Sequence, residues 1–128
     1  MREIKFRGYQ EAQGYFVHGC YLNIPQIIEG QVYEHWIVRD DGFKYVIEDK
    51  ETIGQYTGLK DKNGTEIYEG DIYHMGDPQI TYTVVWHDSG LIGKQNGSSS
   101  YSGLSHWKDR IEIISNIYES ELSEESSC

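Results

Sequence analysis

A turn signal near the middle of the chain constrains its fold more than any other feature. The four residues from Asp61 read Asp-Lys-Asn-Gly, and Asn and Gly accept positive φ angles at the lowest cost. The pattern predicts a hairpin turn that depends on Asp61, Asn63 and Gly64. Two geometries fit it: a two-residue type I′ turn at Asn63-Gly64, or a type I turn that Gly64 closes as a bulge. We expect strands on either side, around 53–57 and 65–68.

A second tight turn follows at Glu69-Gly70-Asp71. Gly70 permits the sharp change of direction, and Asp is a residue whose carboxylate often accepts hydrogen bonds from its own turn. We therefore assign Gly70 a structural role, as we do the three residues of the first turn.

Most of the remaining chain has the pattern of short strands. Residues 2–7 alternate between apolar and polar side chains, and 80–86 alternate more clearly still. Asp41-Gly42 predicts another hairpin turn. The strands around that turn, at 32–38 and 43–47, carry apolar residues on both faces, which predicts cover on both sides.

Three segments do not have a strand pattern. Residues 26–29, ahead of Gly30, predict one helical turn. Residues 93–103 contain few apolar side chains and predict a mobile loop, and the acidic residues 119–128 predict a disordered tail. With about nine strands and little helix, the sequence predicts an all-β fold, a small barrel- or sandwich-like assembly of hairpins.

A chain of 128 residues is long enough for one domain with a real core. We assign residues 1–118 to this β unit. The polar segment 48–51 is its one candidate internal boundary, which leaves open a division into two lobes, 1–50 and 51–118.

The composition excludes several classes of protein. A net charge of −10 has the wrong sign for general binding to nucleic acid, and no apolar run reaches the roughly 20 residues that span a bilayer. Cys20 and Cys128 are the only cysteines, one of them at the end of the polar tail. A structural disulfide is therefore not expected, and a reducing compartment, the cytoplasm, is the expected location.

Three segments resemble the YopX-like proteins of bacteriophages and prophages. They are the opening residues 1–7, the block from Gln55 to Ile72, and the closing residues 113–119, where Ser115 replaces an expected glycine. The resemblance covers nearly the whole chain except 93–103. It implies a small, mainly β protein encoded in phage or prophage genomes, with no established activity and no catalytic residues to transfer.

The candidate sites for catalysis and metal binding are weak. His74, His87 and His106 lack the close ligand spacing of zinc sites, so we expect no metal and no other cofactor. Glu69 and Asp71 flank Gly70, but a carboxylate pair for acid–base catalysis needs a shared cleft. We expect a protein that is not an enzyme.

The tyrosines and tryptophans are the better candidates for a binding surface. Tyr56, Tyr68 and Trp86, with the neighbouring acids Glu69 and Asp71, form the predicted binding or interface surface. Tyrosine suits interfaces because one end is apolar and the other polar.

Three functions compete on this basis. The first is a protein-binding accessory module that forms a homo-oligomer and also binds a host or phage protein. The second is a nucleic-acid-binding small β-barrel, which the acidic charge disfavours. The third is an enzyme with an unrecognised site.

Overall fold

The structure is a computed structural model that describes residues 5–88 and 90–118. The chain divides into an N-terminal unit, Met1–Tyr56, and a C-terminal unit, Thr57–Cys128. The first part of the strand expected at 2–7 and the tail expected at 119–128 lie outside the described residues.

The described residues form eleven strands, one 3-10 turn and one short helix, so the predicted all-β fold is confirmed. In chain order the elements are β1 Phe6–Gln10, β2 Tyr15–Ile28, β3 Gln31–Val38, β4 Lys44–Val46, the 3-10 turn Lys50–Thr52, β5 Gly54–Lys60, β6 Glu66–Tyr68, β7 Asp71–His74, β8 Tyr82–His87, β9 Gly90–Gln95, β10 Tyr101–Ser102, α1 Leu104–Trp107 and β11 Glu112–Asn116.

The N-terminal unit is an antiparallel sheet with the strand order β4-β3-β2-β1, and β1 also pairs with the first residues of β5 through Phe6↔Gln55 and Arg7↔Gly54. Its core consists of Val17, Ile37 and Ile47, with the rings of Phe6, Tyr21 and Tyr45 packed around them. Ile37 is fully buried, and its cross-strand partner Tyr21 packs against the same core. The adjacent Trp36 is only 5% exposed, so β3 is covered on both faces at this point.

The helical turn expected at residues 26–29 is wrong. This segment continues β2 and pairs with β3 up to Ile28↔Gln31. Glu29 (φ 51°) and Gly30 (φ 81°) both have positive φ, so they form the type I′ turn of a two-residue hairpin. Pro25 is accommodated because the register shifts between Asn23 and Gln26, and a bulge is a position where a strand tolerates proline.

The C-terminal unit contains a five-stranded antiparallel sheet, with the order β10-β9-β8-β7-β11, and the hairpin that ends in β6. Its buried core residues are Ile67, Tyr73, Val84, Leu104 and Ile111. Leu104 comes from α1, a four-residue helix that the sequence analysis did not predict.

The loop expected at 93–103 is shorter than predicted, because only residues 96–100 lie between the two strands that flank it. Residues up to Gln95 belong to β9, and β10 pairs back onto it through Tyr101↔Lys94 and Ser102↔Gly93. Gly93 is required because a Cβ atom there would lie 1.7 Å from the Tyr73 hydroxyl oxygen. The absence of a side chain at residue 93, which contributed to the loop prediction, is therefore explained by the close packing of Tyr73.

The predicted hairpin at residues 61–64 is confirmed, and its geometry is settled. Gly64 N–H donates to the Asp61 carbonyl (3.0 Å), and Asp61 N–H donates to the Thr65 carbonyl (2.8 Å). Gly64 has a φ of 84°, whereas Asn63 is not among the described residues with positive φ. The turn is therefore a type I turn closed by a glycine bulge, because type I′ would need positive φ at Asn63 as well.

Candidate functional site

The structure places the five predicted surface residues in very different environments. Tyr56 is buried in the N-terminal unit, and Tyr68 and Asp71 are buried in the C-terminal unit. Glu69 is half-buried, and Trp86 is 48% exposed. Of the five, only Trp86 presents a large aromatic surface to solvent.

Asp71 and Gly70 hold their own turn together. The Asp71 carboxylate accepts a hydrogen bond from Tyr68 N–H at 2.7 Å, as expected for an Asp in a tight turn. Gly70 has a φ of 92°; its N–H donates to the Val84 carbonyl, and its carbonyl accepts from Ile117 N–H (2.9 Å each). Both residues therefore have well-defined structural contacts.

The two tyrosines are also held in place by neighbours. The Tyr68 hydroxyl donates to the Glu66 carboxylate at 2.9 Å, and the Lys5 ammonium lies 5.3 Å from the centre of the Tyr56 ring. Both rings are at most 4% exposed. Their apolar bodies contribute to packing inside each unit, and a binding partner would have little ring surface to contact.

Trp86 lies at the exposed end of β8, where its indole N–H donates to the Glu69 carboxylate at 3.2 Å. The neighbouring His87 ring stacks on Tyr101 with the ring centres 4.2 Å apart. Trp86 and His87 are adjacent in β8, so Trp86 and the His87–Tyr101 pair lie on opposite faces of the strand and do not form one surface.

A larger exposed apolar surface lies on the N-terminal unit, where the sequence analysis did not place a site. The distal part of the β2–β3 hairpin, residues 23–34, is called the hairpin arm here, and all of its residues except Tyr33 are exposed. Its large aliphatic side chains are Ile27 (75% exposed), Val32 (55%), Ile24 (49%) and Ile28 (46%). Ile27 and Val32 are directly paired across the strands, so they extend from the same face.

The arm is anchored at its base by Trp36. The indole N–H of Trp36 donates to the Ile24 carbonyl at 2.9 Å, and the Lys44 ammonium lies 5.0 Å from the centre of its ring. Trp36 itself is only 5% exposed. The bulge near Pro25 is therefore fixed from the opposite strand, and the apolar tip extends from a defined base.

One sequence signal did indicate this surface. Apolar residues on both faces of 32–38 predicted cover on two sides, and only one of the two faces is covered near Val32. The interpretation of 26–29 as a helical turn left the isoleucines of β2 out of this surface, because in a helical turn Ile27 would not lie opposite Val32.

Within residues 5–88 and 90–118, no group of three or more His, Cys, Asp or Glu side chains is positioned to hold a metal ion. Cys20 is exposed and forms no disulfide with another described residue. Among the described residues there is also no helix with the length and apolar character needed to cross a membrane.

Comparison with known proteins gives a family and a fold. No curated protein matches the chain significantly. The crystal structure of protein EF1440 from Enterococcus faecalis is similar over 94% of this chain and 97% of that one, with a TM-score of 0.53. At 21% sequence identity, this similarity shows the fold alone. The YopX protein family matches residues 5–122, and the chain therefore belongs to the YopX family.

Proposed function

We propose that this protein is a non-enzymatic, phage- or prophage-encoded accessory module of the bacterial cytoplasm that acts by binding protein, and that it self-associates through the hairpin arm. The single observation that carries the proposal is the exposure of four large aliphatic side chains on this one two-stranded arm.

Physical chemistry favours a partner for this surface. A two-stranded ribbon is only marginally stable in water. Residues 23–32 of the arm are exposed, so the rest of the N-terminal unit does not pack over them. Burying one of these side chains stabilises a complex by about 1.5–3 kcal/mol. Ile27 and Val32 share one face of the arm, and burying this pair offsets part of the entropic cost of association.

The charge distribution favours a second copy of the chain as that partner. The protein has a net charge of −10, yet the arm, residues 23–34, contains only two charged side chains, Glu29 and Glu34. Two copies that meet through their arms therefore bring few like charges together. The remaining repulsion is screened at physiological salt, where the Debye length is about 8 Å.

Mass measurement tests this proposal. We expect multi-angle light scattering at micromolar concentration in ~0.15 M salt to give a multiple of the 14.8 kDa chain mass. The double variant I24Q/I27Q removes two apolar contacts from β2 without changing charge, and it should shift the mass toward one chain. A mass of one chain for the unaltered protein would overturn self-association.

A matched control uses equally exposed isoleucines elsewhere. Ile114 and Ile117 are 47% and 43% exposed on the C-terminal unit, so I114Q/I117Q removes a similar apolar area away from the arm. This variant should keep the mass of the unaltered protein. Far-UV circular dichroism of both variants establishes that each is folded.

A further inference from the structure

A groove of about 560 Å3 follows the outer edge of β3 within the N-terminal unit. One wall is the β3 segment Gln31–His35, and the other is the connector from Ile47 to Glu51. β4 covers β3 only from Trp36 to Val38, so the groove begins where the paired edge ends.

The backbone polar groups on this edge are available to a partner. Ile47 N–H donates to the His35 carbonyl at 2.8 Å, which shows that the His35 carbonyl faces the outer edge. The two-residue turn places Gln31 in a hydrogen-bonded pair with Ile28, so Gln31 and Tyr33 direct their backbone groups to β2 and Val32 directs its own to the outer edge. Within the described part of the chain, no residue forms a hydrogen bond with the backbone of Val32 on this side.

The groove also has a strong charge of one sign. Its lining contains four carboxylates and one ammonium group, a net charge of −3, from Glu34, Glu48, Asp49, Glu51 and Lys50. A free strand edge binds extended peptides by strand addition, in which main-chain hydrogen bonds supply affinity and neighbouring side chains supply selectivity. Carboxylates beside such an edge select lysine and arginine.

We propose that this groove binds an extended, basic peptide segment of a partner protein, which adds to β3 as a further antiparallel strand. The partner's backbone hydrogen-bonds to Val32, and its lysine or arginine side chains contact Glu34, Glu48 and Glu51. The acidic residues 119–128 of this chain have the wrong charge to occupy it. The groove wall Gln31–Glu34 belongs to the hairpin arm, but the peptide uses the backbone edge of β3 and the carboxylates beside it, whereas self-association uses the apolar side chains of the arm.

The test uses the full chain and the probe acetyl-Lys-Val-Lys-Val-Lys-Val-Lys-amide, with binding followed by calorimetry. We expect binding that weakens with added salt, whereas the matched peptide with Glu in place of Lys should not bind. The same basic peptide with every backbone nitrogen methylated should also fail to bind, because it cannot donate to the strand edge. Equal binding of the acidic or the methylated peptide would overturn the proposal.

Charge neutralisation on the protein provides a matched pair of variants. E34Q/E48Q/E51Q removes three charges from the groove, and E29Q/D40N/D109N removes three exposed charges outside it, so both have a net charge of −7. Exposed ion pairs are individually weak, and losing three should weaken peptide binding by roughly tenfold in the first variant only. The same loss in both variants would show attraction to the overall charge and would overturn a groove site.

Amide hydrogen exchange locates the bound strand. Peptide binding should slow exchange at Val32 and leave Gln31 and Tyr33, whose backbones face β2, nearly unchanged. Binding without this alternating protection would overturn strand addition. The I24Q/I27Q variant should bind the peptide as the unaltered protein does, so that failure of self-association and failure of the groove are distinguishable.

Discussion

Two of the glycine-closed hairpin turns, one in each unit, have the same backbone geometry and very different surroundings. In the C-terminal unit the turn runs from Asp61 to Gly64, and in the N-terminal unit it runs from Arg39 to Gly42. In each, the glycine N–H donates to the carbonyl three residues earlier, at 3.0 Å and 2.9 Å, and the glycine φ values are 84° and 87°.

The two turns differ in what Asp61 and Asp41 contact. Asp61 is 7% exposed, and one of its carboxylate oxygens accepts from Asn63 N–H and Thr65 N–H (2.9 Å each). Its other oxygen accepts from Ile113 N–H on β11, at 3.1 Å. Lys62 N–H adds a hydrogen bond to the Ile111 carbonyl. The Asp61 turn therefore connects its hairpin to a strand some 50 residues later in the chain.

Asp41 in the other turn is exposed and makes only local contacts. One oxygen accepts from Phe43 N–H at 3.1 Å, and the other pairs with the Arg39 guanidinium at 2.8 Å. The comparison shows that local sequence determines the conformation of a turn, whereas the tertiary environment determines how much stability depends on it.

The largest expected effect is that of Asp61→Ala. It removes three hydrogen bonds to a buried carboxylate, and hydrogen bonds to charged groups contribute about 1.5–3 kcal/mol each, so we expect a loss of roughly 3–5 kcal/mol in the C-terminal unit. This loss of stability is measured by urea unfolding that is monitored through the amide exchange of Ile67. Asp61→Asn keeps one acceptor oxygen, so its loss of stability should be smaller than that of Asp61→Ala. If Asp61→Ala loses no more stability than Asp41→Ala, the contrast between the two turns does not hold.

Substitution of the two glycines should give nearly equal effects. A Cβ atom at Gly64 or Gly42 would contact nothing within 4 Å, so each substitution reports only the strain of positive φ. We expect Gly64→Val and Gly42→Val each to cost more than ~1 kcal/mol in the unit that contains it. The measurement is the urea midpoint of each unit. A neutral effect at Gly64 alone would contradict the assigned turn geometry.

A third substitution tests a buried polar group that, unlike Asp61, has no partner. The Tyr73 hydroxyl is fully buried and forms no hydrogen bond with any described residue. An unsatisfied buried polar group costs about 1–3 kcal/mol, so Tyr73→Phe should raise the stability of the C-terminal unit by about 1 kcal/mol. A decrease in thermal midpoint would show that this hydroxyl has a favourable contact.

The same residue predicts a dependence on alkaline pH. Burial, and secondarily the neighbouring Tyr82, raises the pKa of Tyr73 above the ordinary tyrosine value. Its contribution to stability is therefore fully present below about pH 10 and is lost as the pH rises through the raised folded-state pKa. Stability of the C-terminal unit above pH 10 should fall more steeply in the unaltered protein than in Tyr73→Phe, and parallel curves would contradict this assignment.

The smallest expected effect is that of Asp41→Asn. The amide keeps an acceptor for Phe43 N–H and removes the exposed ion pair with Arg39, which solvent and salt already weaken. The urea midpoint of the N-terminal unit should stay nearly unchanged, and the remaining difference should vanish in about 1 M salt. A clear loss that persists in high salt would mean that Asp41 resembles Asp61 more than the structure indicates.

Strand pattern and turn chemistry made much of the fold predictable from the sequence. Both hairpins, at Gly42 and Gly64, were identified because glycine and its neighbours specify local backbone angles. The extension of β2 through Pro25 was not predictable in this way, since a register shift opposite Glu34 and an anchor from Trp36 accommodate the proline.

The candidate site was less predictable than the fold. Tyrosines such as Tyr68 were expected at a surface because of their polar end, but hydrogen bonding to Glu66 allows the ring to be buried. Ile27 is exposed because the β2–β3 hairpin extends beyond the neighbouring strands. No local sequence pattern encodes the length of that extension.

The close approach of Tyr73 to Gly93 has a consequence for how this family can vary. The two positions lie on different strands, and a Cβ atom at 93 would come within 2.9 Å of the Tyr73 ring even without the hydroxyl. Relatives with a larger residue at the position of Gly93 should therefore have a smaller one at the position of Tyr73. Such paired replacement would appear as covariation between these two columns of a family alignment.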